Sequence, residues 1–184
     1  MFLKICLFFF ILSQSLHLHA EERKLIINKL LEINNFTFDF EQRTGTKNEK
    51  GTCFVVFDNK LKCNYADKKQ KEIIINNKTL VVIQKRYNKV YFYTITKSPF
   101  VKILNKNSLI NLIRQSKVKI KDKIHLVYLD DKKKEITVFF SKKNYELIGW
   151  QIKDDLQNKI YFSLKIKNTN IEIDDGLFKI PSVN

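Results

Sequence analysis

Apolar and polar residues alternate strictly over one stretch in the first third of the chain. Within residues 35–43, Phe36, Phe38 and Phe40 occupy every second position, and polar residues fill the positions between them. Residues 159–167 repeat this period with four apolar residues. Because successive strand residues point to opposite faces, both stretches predict β-strands with one apolar and one solvated face.

Nine further strand-like stretches lie between these two and are separated by polar corners rich in Asn and Lys. They are residues 51–57, 61–66, 71–76, 79–85, 89–95, 117–121, 124–129, 135–140 and 146–153. A series of antiparallel strands of this kind tends to curl towards closure. The pattern therefore predicts a curved antiparallel sheet.

Helical spacing replaces the strand period in two regions. Residues 21–33 begin with two acidic residues and place apolar side chains on one face, which predicts an N-terminal amphipathic helix. Ser98-Pro99 is a favourable helix start, and Ser108 is the predicted cap of a second short helix. The apolar residues of these two short helices are Phe100, Ile103, Leu104, Leu109, Leu112 and Ile113. We expect the two helices to plug or cover the curved sheet.

The N-terminus has the pattern of a secretory signal peptide. Lys4 precedes an apolar run at residues 5–12, and a small residue, Ala20, marks the expected cleavage site. The run is shorter than the ~20 apolar residues that span a bilayer. We therefore expect residues 1–20 to be a signal peptide and residues 21–184 to form one exported domain.

Cys53 and Cys63 are the two cysteines of the expected mature chain. If a hairpin turns around Asp58, the two cysteines lie directly opposite each other, with Cα atoms ~4.5–5.5 Å apart, which a disulfide tolerates. Export would permit their oxidation. The alternatives are two free buried thiols, or a register shifted by one residue that turns them to different faces.

Positive charge dominates the composition, with 34 Lys and Arg against 19 Asp and Glu and a net charge of +15. The lysines are scattered over outward strand positions and turns, as expected of a solvated surface. No groove-reading helix or RNA-binding motif accompanies them. We therefore expect no nucleic acid partner.

Few residues suggest catalysis. His125, the one histidine of the expected mature chain, lies in a strand-like stretch without a Ser or Cys pattern nearby. Metal-ligand spacing and a Gly-rich phosphate loop are absent from the sequence. The acidic pairs are neighbours, whose side chains point apart on a strand. These pairs are Asp130-Asp131, Asp154-Asp155 and Asp174-Asp175. We expect no enzyme, metal or cofactor.

Six short motifs follow one another along the chain. They are Phe36-x-x-x-Phe40-x-Gln42, Gly51, Leu61-Lys62-Cys63-Asn64-Tyr65, Asn76-Asn77-Lys78-Thr79-Leu80, Ser98-Pro99-Phe100 and Phe178-x-x-Pro181. Their order and spacing resemble the periplasmic lipoprotein carrier family LolA over essentially the whole expected mature chain. The resemblance implies an α+β, mainly antiparallel fold. In that fold an incomplete, half-open β-barrel of about 10–11 strands carries an N-terminal helix and a short helical lid over a hydrophobic cavity.

The family's function implies the partners. A LolA-like protein in the periplasm would take acylated lipoproteins as cargo from an inner-membrane ABC transporter and deliver them to an outer-membrane acceptor. We expect it to act as a monomer. Two alternatives are a carrier of another acylated lipid or glycolipid on the same fold and, more remotely, a lipid-ester hydrolase.

One segment departs from the family pattern. The family's Arg-Pro pair falls on Phe57-Asp58, and its Trp falls on Cys63. In the family, basic and bulky groups here help to time cargo uptake and release. Lys60 or Lys62 would replace the arginine only loosely, since an ammonium group lacks the guanidinium fork. The resemblance therefore does not extend to the release trigger.

The resemblance and the strand period together select candidate cavity residues. The acyl-chain cavity is expected to be formed by Phe36, Phe38, Phe40, Val55, Phe57, Leu61 and Trp150, and the lid by Phe100, Ile103, Leu104, Leu109, Leu112 and Ile113. For each residue the alternative is ordinary core packing, because inward positions of a barrel are filled either by side chains or by ligand.

Overall fold

Eleven strands form a single antiparallel sheet in the computed structural model, which describes residues 20–57, 59–95, 101–130, 133–153 and 157–181. In chain order they are β1 (Asn35–Thr44), β2 (Lys47–Val56), β3 (Lys60–Tyr65), β4 (Lys71–Asn76), β5 (Thr79–Gln84), β6 (Lys89–Thr94), β7 (Lys117–Ile120), β8 (Ile124–Leu129), β9 (Glu135–Phe140), β10 (Leu147–Lys153) and β11 (Lys159–Thr169). Short 3₁₀ helices cover Lys85–Tyr87 and Asp175–Phe178.

Strand β1 is the centre of the sheet. The order is β6-β5-β4-β3-β2-β1-β11-β10-β9-β8-β7, so β2–β6 form a first wing and β7–β11 form a second wing. Within the described residues, the edge strands β6 and β7 do not pair with each other, and the sheet stays open. This architecture confirms the predicted half-open antiparallel fold.

The alternation in β1 explains its central place. Phe36, Phe38 and Phe40 are each at most 5% exposed, whereas Asp39 and Glu41 point outward and are exposed. Both neighbouring strands extend this division, because Cys53 and Val55 of β2 pair with Phe38 and Phe36. The sheet therefore has an apolar inner face and a polar outer face.

Three helices lie on the inner face. The described part of α1 covers residues 20–31 and buries Ile26 and Leu30 in the main core. Helices α2 (Val101–Leu104) and α3 (Lys106–Gln115) place their apolar residues in the same core. The predicted helix start at Ser98-Pro99 lies outside the described residues.

Helix α3 begins three residues earlier than predicted. Asn105, not Ser108, is its N-cap, because the Asn105 side chain accepts a hydrogen bond of 2.9 Å from the Ser108 backbone N–H. Asn and Ser cap helices about equally well, so the sequence alone does not choose between them. The backbone geometry decides for Asn105, which has an extended conformation.

The C-terminal segment covers part of the outer face. Phe178 is buried near strands β3 and β4, and Asn76 donates a hydrogen bond of 3.3 Å to its carbonyl oxygen. Ile74 and Val81, which point away from the main core, are buried as well. This small second cluster closes the back of the first wing.

Gly51 allows Phe40 to lie flat against strand β2. The two residues pair across β1 and β2, and a Cβ at position 51 would lie 2.8 Å from the Phe40 ring and overlap the carbonyl oxygen of Asn64. We predict that Gly51→Ala lowers the free energy of unfolding by about 1–3 kcal/mol, since the clashing carbonyl is part of the backbone of the paired strand β3 and can shift only by distorting it. Urea unfolding followed by circular dichroism measures the change.

Thr52→Ala is the matched control, because Thr52 is the next residue of β2 and points to the outer face, towards Asp39. We expect its effect to be clearly smaller. Equal stability of Gly51→Ala and the parent protein would contradict the close approach at this position.

Candidate functional site

An apolar cavity of about 240 Å³ lies on the inner face, between the two wings. Leu61, Cys63, Tyr65, Ile73, Ile75 and Leu80 of the first wing, Trp150, Ile152, Ile160 and Phe162 of the second wing, and Gln42 of β1 line it. Leu61 pairs with Ile75, which pairs with Leu80, and on the other side Trp150 pairs with Phe162. The strand register thus builds each wall from neighbouring side chains.

A chain of aromatic rings forms the base of this cavity. Trp150 and Phe162 are stacked with centroids 4.3 Å apart, and Phe162 stacks on Phe40 at 4.9 Å. Tyr65 meets the other side of Phe40 edge-on at 4.9 Å. Contacting rings of this kind add about 0.5–1.5 kcal/mol each beyond the burial of their area. Through Phe40 of β1, the rings connect the second wing to the first.

A larger depression of about 490 Å³ lies on the outer face near Asp39, Glu41, Lys50 and Lys165. Its walls carry both charges and its opening is wide, so it offers little shelter to an apolar ligand. The smaller cavity on the inner face has the lining that an acyl chain requires. We therefore take the inner cavity as the candidate site.

The predicted cavity residues fall into two groups. Leu61 and Trp150 line the cavity. Phe36, Phe38 and Val55 lie on the same face but are buried in the core towards the start of β1. Phe40 belongs to the aromatic base and is sealed by its neighbours, and Phe57 is half-buried with its ring 5.7 Å from Phe36.

Helices α2 and α3 occupy the end of the inner face where β1 begins. The Leu104 carbonyl accepts a hydrogen bond of 3.2 Å from Asn59, and Lys106 donates one of 3.0 Å to the Asn34 side chain. The predicted lid residues Ile103, Leu104, Leu109, Leu112 and Ile113 are buried in the main core there, and Phe100 lies outside the described residues. The cavity lies towards the opposite end, near Gln42 and Tyr65.

A disulfide joins two neighbouring strands of the first wing, β2 and β3. Cys53 and Cys63 pair directly across β2 and β3, with Cα atoms 4.1 Å apart, and their sulfur atoms are bonded. The register is therefore the one that the hairpin prediction assumed. Cys63 contributes to the cavity lining, and Cys53 is fully buried on the inner face, paired with Phe38 of β1.

Polar groups at the cavity rim are hydrogen-bonded to one another. The Tyr65 hydroxyl donates to the Gln42 side-chain oxygen over 3.0 Å, and the Lys71 ammonium lies 3.6 Å from the centre of the Tyr65 ring. Lys71 also donates to Glu49 over 2.6 Å. Burial raises the pKa of Tyr65 far above its ordinary value, so the hydroxyl stays protonated and remains a donor.

Nine lining residues are not among the predicted cavity residues. They are Gln42, Cys63, Tyr65, Ile73, Ile75, Leu80, Ile152, Ile160 and Phe162. The alternating period of their strands assigns most of them to the inner face, which was the available signal. The period does not say which inward residues meet a neighbour and which meet empty space.

Potential catalytic groups lie away from this cavity. His125 is on the outer face, with its ring 5.0 Å from Phe139 and its Nε2 atom 3.7 Å from the Asp122 carboxylate. Burial lowers the pKa of His125, which favours the neutral ring. In the part of the chain that the structure describes, no cluster of three metal-ligating side chains is present, and no helix is long and apolar enough to span a membrane.

Comparisons with known proteins agree with this architecture. The family model "Outer membrane lipoprotein carrier protein LolA" matches residues 32–181. No curated protein matches the sequence. An uncharacterized conserved protein from Thermus thermophilus has a similar structure, with a TM-score of 0.52 at 8% identity over 88% of this chain and 94% of that chain.

Two further solved structures are similar at lower scores. A LolA superfamily protein from Nitrosomonas europaea has a TM-score of 0.42 at 8% identity, over 84% of this chain and 96% of that chain. The lipoprotein LppX from Mycobacterium tuberculosis has a TM-score of 0.46 at 11% identity, over 85% and 97%. At such low identities, structural similarity speaks only to the fold.

Glu49 gives the cavity rim a measurable dependence on pH. Its side chain is 9% exposed and pairs with Lys47 and Lys71. Burial alone would raise the pKa of Glu49, but hydrogen bonds from the two lysines outweigh it and lower the pKa below 4.5. A carboxylate with a lowered pKa stabilises the fold above its unfolded-state pKa and loses this contribution as the pH falls through the lowered value.

We therefore predict that Glu49→Gln reduces stability at neutral pH and flattens the loss of stability below pH 4.5. Urea unfolding at a series of pH values measures both effects. The control is Glu41→Gln, because Glu41 forms an exposed pair with Lys50, and such pairs contribute about 1 kcal/mol or less. Identical pH profiles for Glu49→Gln and the parent protein would show that the rim pair does not stabilise the fold.

Proposed function

This chain belongs to the outer membrane lipoprotein carrier family LolA, and we propose that it binds the acyl chains of lipoproteins in the cavity between its wings. The observation that carries the proposal is the cavity lining. Nine of the eleven lining residues are apolar or disulfide-bonded, and the two others, Gln42 and Tyr65, hydrogen-bond to each other. Such a lining suits a ligand without polar groups.

The hydrophobic effect supplies the affinity in this proposal. Removing one acyl methylene from water contributes ~0.8 kcal/mol, so a long chain gains several kcal/mol from partial shelter. The interaction is not directional, and one cavity can therefore accept chains of different length. An acylated protein that crosses an aqueous compartment needs this kind of shelter.

The size of the cavity supports a lid role for helices α2 and α3. Its volume of about 240 Å³ is below the ~300–1,000 Å³ of typical ligand pockets, so it would shelter part of a long chain. The helices occupy the rest of the inner face. Their displacement would open further apolar surface along Phe36 and Phe38, and we propose that cargo entry moves them.

Membership of the family suggests a route for the cargo. We propose that the protein is exported by a signal peptide at residues 1–20 and acts in the periplasm as a monomer. There it would receive lipoproteins from an inner-membrane ABC transporter and deliver them to an outer-membrane acceptor. It would act as a carrier and not as an enzyme, because the cavity lining holds no nucleophile next to a general base.

Mass spectrometry of lipids that co-purify with the exported protein identifies the cargo class. Lipoproteins or lipopeptides with acyl chains are the expected species. Recovery of glycolipids alone would assign the same cavity to another acylated cargo.

A charge in the cavity tests the binding site directly. Ile152 is half-buried and lines the cavity, whereas Gln151 is the next residue of β10 and points to the outer face. We predict that Ile152→Glu weakens binding of a fluorescent long-chain acyl probe by about tenfold or more, because an unpaired carboxylate is costly in an apolar site. Fluorescence titration measures the affinity.

Gln151→Glu adds the same charge one position along the strand and should bind the probe like the parent protein. Thermal unfolding checks that both variants fold. If folded Ile152→Glu binds the probe with unchanged affinity, the acyl chain does not occupy this cavity.

A further inference from the structure

Two connections at one corner of the sheet form a basic surface. They are residues 66–70, between β3 and β4, and residues 85–89, which lead from β5 into β6, and we refer to them together as the basic tip. Backbone N–H groups of Lys85 and Arg86 donate to the carbonyls of Gln70 and Lys69 over 3.4 and 3.3 Å. The Arg86 guanidinium donates to the Lys68 carbonyl over 3.4 Å. These bonds hold the two connections together.

The basic tip carries five basic residues and one acidic residue. The basic residues Lys68, Lys69, Lys85, Arg86 and Lys89 are all exposed. Lys85 is paired with Glu72 over 2.7 Å, and the acidic residue, Asp67, accepts a hydrogen bond from the backbone of Lys71. The tip therefore presents a positive surface to solvent.

Exposed aromatic residues adjoin this charge. Of the seven large apolar side chains that are exposed in the described residues, five lie between positions 87 and 93. They are Tyr87, Val90, Tyr91, Phe92 and Tyr93, and Tyr87 and Tyr93 are 51% and 54% exposed. Tyr91 and Tyr93 lie on the inner face of the edge strand β6, and Val90 and Phe92 lie on its outer face. Monomeric proteins rarely leave so many large apolar side chains uncovered in one place without a binding role. The group follows the edge strand β6.

The same strand continues the wall of the cavity. Tyr93 pairs with Leu80, a lining residue, and Tyr91 pairs with Val82 on the same face. Tyr65, at the cavity rim, directly precedes the basic tip in the chain. The tip, the exposed strand β6 and the cavity rim therefore lie at neighbouring positions of the first wing.

We propose that the basic tip and strand β6 dock on an anionic phospholipid bilayer. Lysine and arginine are attracted to anionic headgroups, and tyrosine rings favour the boundary between headgroups and acyl chains. A second copy of the chain would pair with the edge of β6 but would leave the basic tip unused. A bilayer surface engages both features.

Docking in this orientation brings the apolar wall from Tyr93 to Leu80 next to the lipid. An acyl chain then has a continuous apolar path between the bilayer and the cavity. This route rests on the proposed function, whereas docking itself is measured without cargo.

Vesicle sedimentation with the purified protein tests the docking. Vesicles of phosphatidylcholine mixed with phosphatidylglycerol should bind the protein, pure phosphatidylcholine should bind it weakly, and added NaCl should reduce the difference. The variant Lys69→Glu/Arg86→Glu/Lys89→Glu should bind the mixed vesicles about tenfold or more weakly. Phe92→Ser/Tyr93→Ser should also weaken binding to the mixed vesicles, and the size of this loss should depend less on the NaCl concentration.

Two controls carry the same changes on the other wing. Lys117→Glu/Lys119→Glu/Lys143→Glu alters the net charge equally at exposed positions, and Leu129→Ser removes an exposed apolar side chain from β8. Both should bind vesicles like the parent protein. If both charge variants lose vesicle binding equally, the binding depends only on net charge, and the proposal is overturned.

Two further outcomes also decide the matter. Absence of parent binding to the mixed vesicles overturns the proposal, as does a dimer in analytical ultracentrifugation that Phe92→Ser/Tyr93→Ser dissolves, since a second copy would then cover β6. Ile152→Glu should lose binding of the acyl probe and keep vesicle binding. The triple variant Lys69→Glu/Arg86→Glu/Lys89→Glu should keep probe binding and lose vesicle binding. If the parent protein binds the vesicles but does not bind the acyl probe, the carrier function is rejected and the docking proposal still stands.

Discussion

An eleven-stranded sheet with one apolar face must shield that face from water, and the helices of this protein shield only part of it. Helices α2 and α3 fill the end of the inner face where β1 begins, and the aromatic base lies under the cavity towards the other end. The remaining gap between the wings is apolar and partly empty. The proposed carrier function depends on this incomplete coverage, because a fully packed interior would leave no room for an acyl chain.

The strands and their faces could be predicted because they rest on a local period. The alternation at Phe36, Phe38 and Phe40 assigns three residues to the inner face, and the structure buries all three. The opposed positions of Cys53 and Cys63 depend only on one short hairpin and could be predicted equally well. Where two residues are chemically equivalent, as Asn105 and Ser108 are for helix capping, local pattern does not distinguish them.

The position of the cavity could not be predicted in the same way. Its walls come from strands far apart in the chain, and they meet because β1 pairs with β11, near the other end. The alternating period assigns both Phe36 and Ile160 to the inner face. The structure buries Phe36 in the same core as the helices, whereas Ile160 lines the cavity. Depth along the strand, which separates core from cavity, is set by where the helices stop.

The single crosslink of the described residues lies inside the first wing, between neighbouring strands. The remaining cysteine, Cys6, precedes the described residues. No covalent crosslink among them therefore joins the two wings, which are held together by the pairing of β1 with β2 and β11 and by side-chain packing. The bridge ties together the hairpin that carries Cys63 in the cavity wall, while the width of the gap between the wings depends on noncovalent contacts.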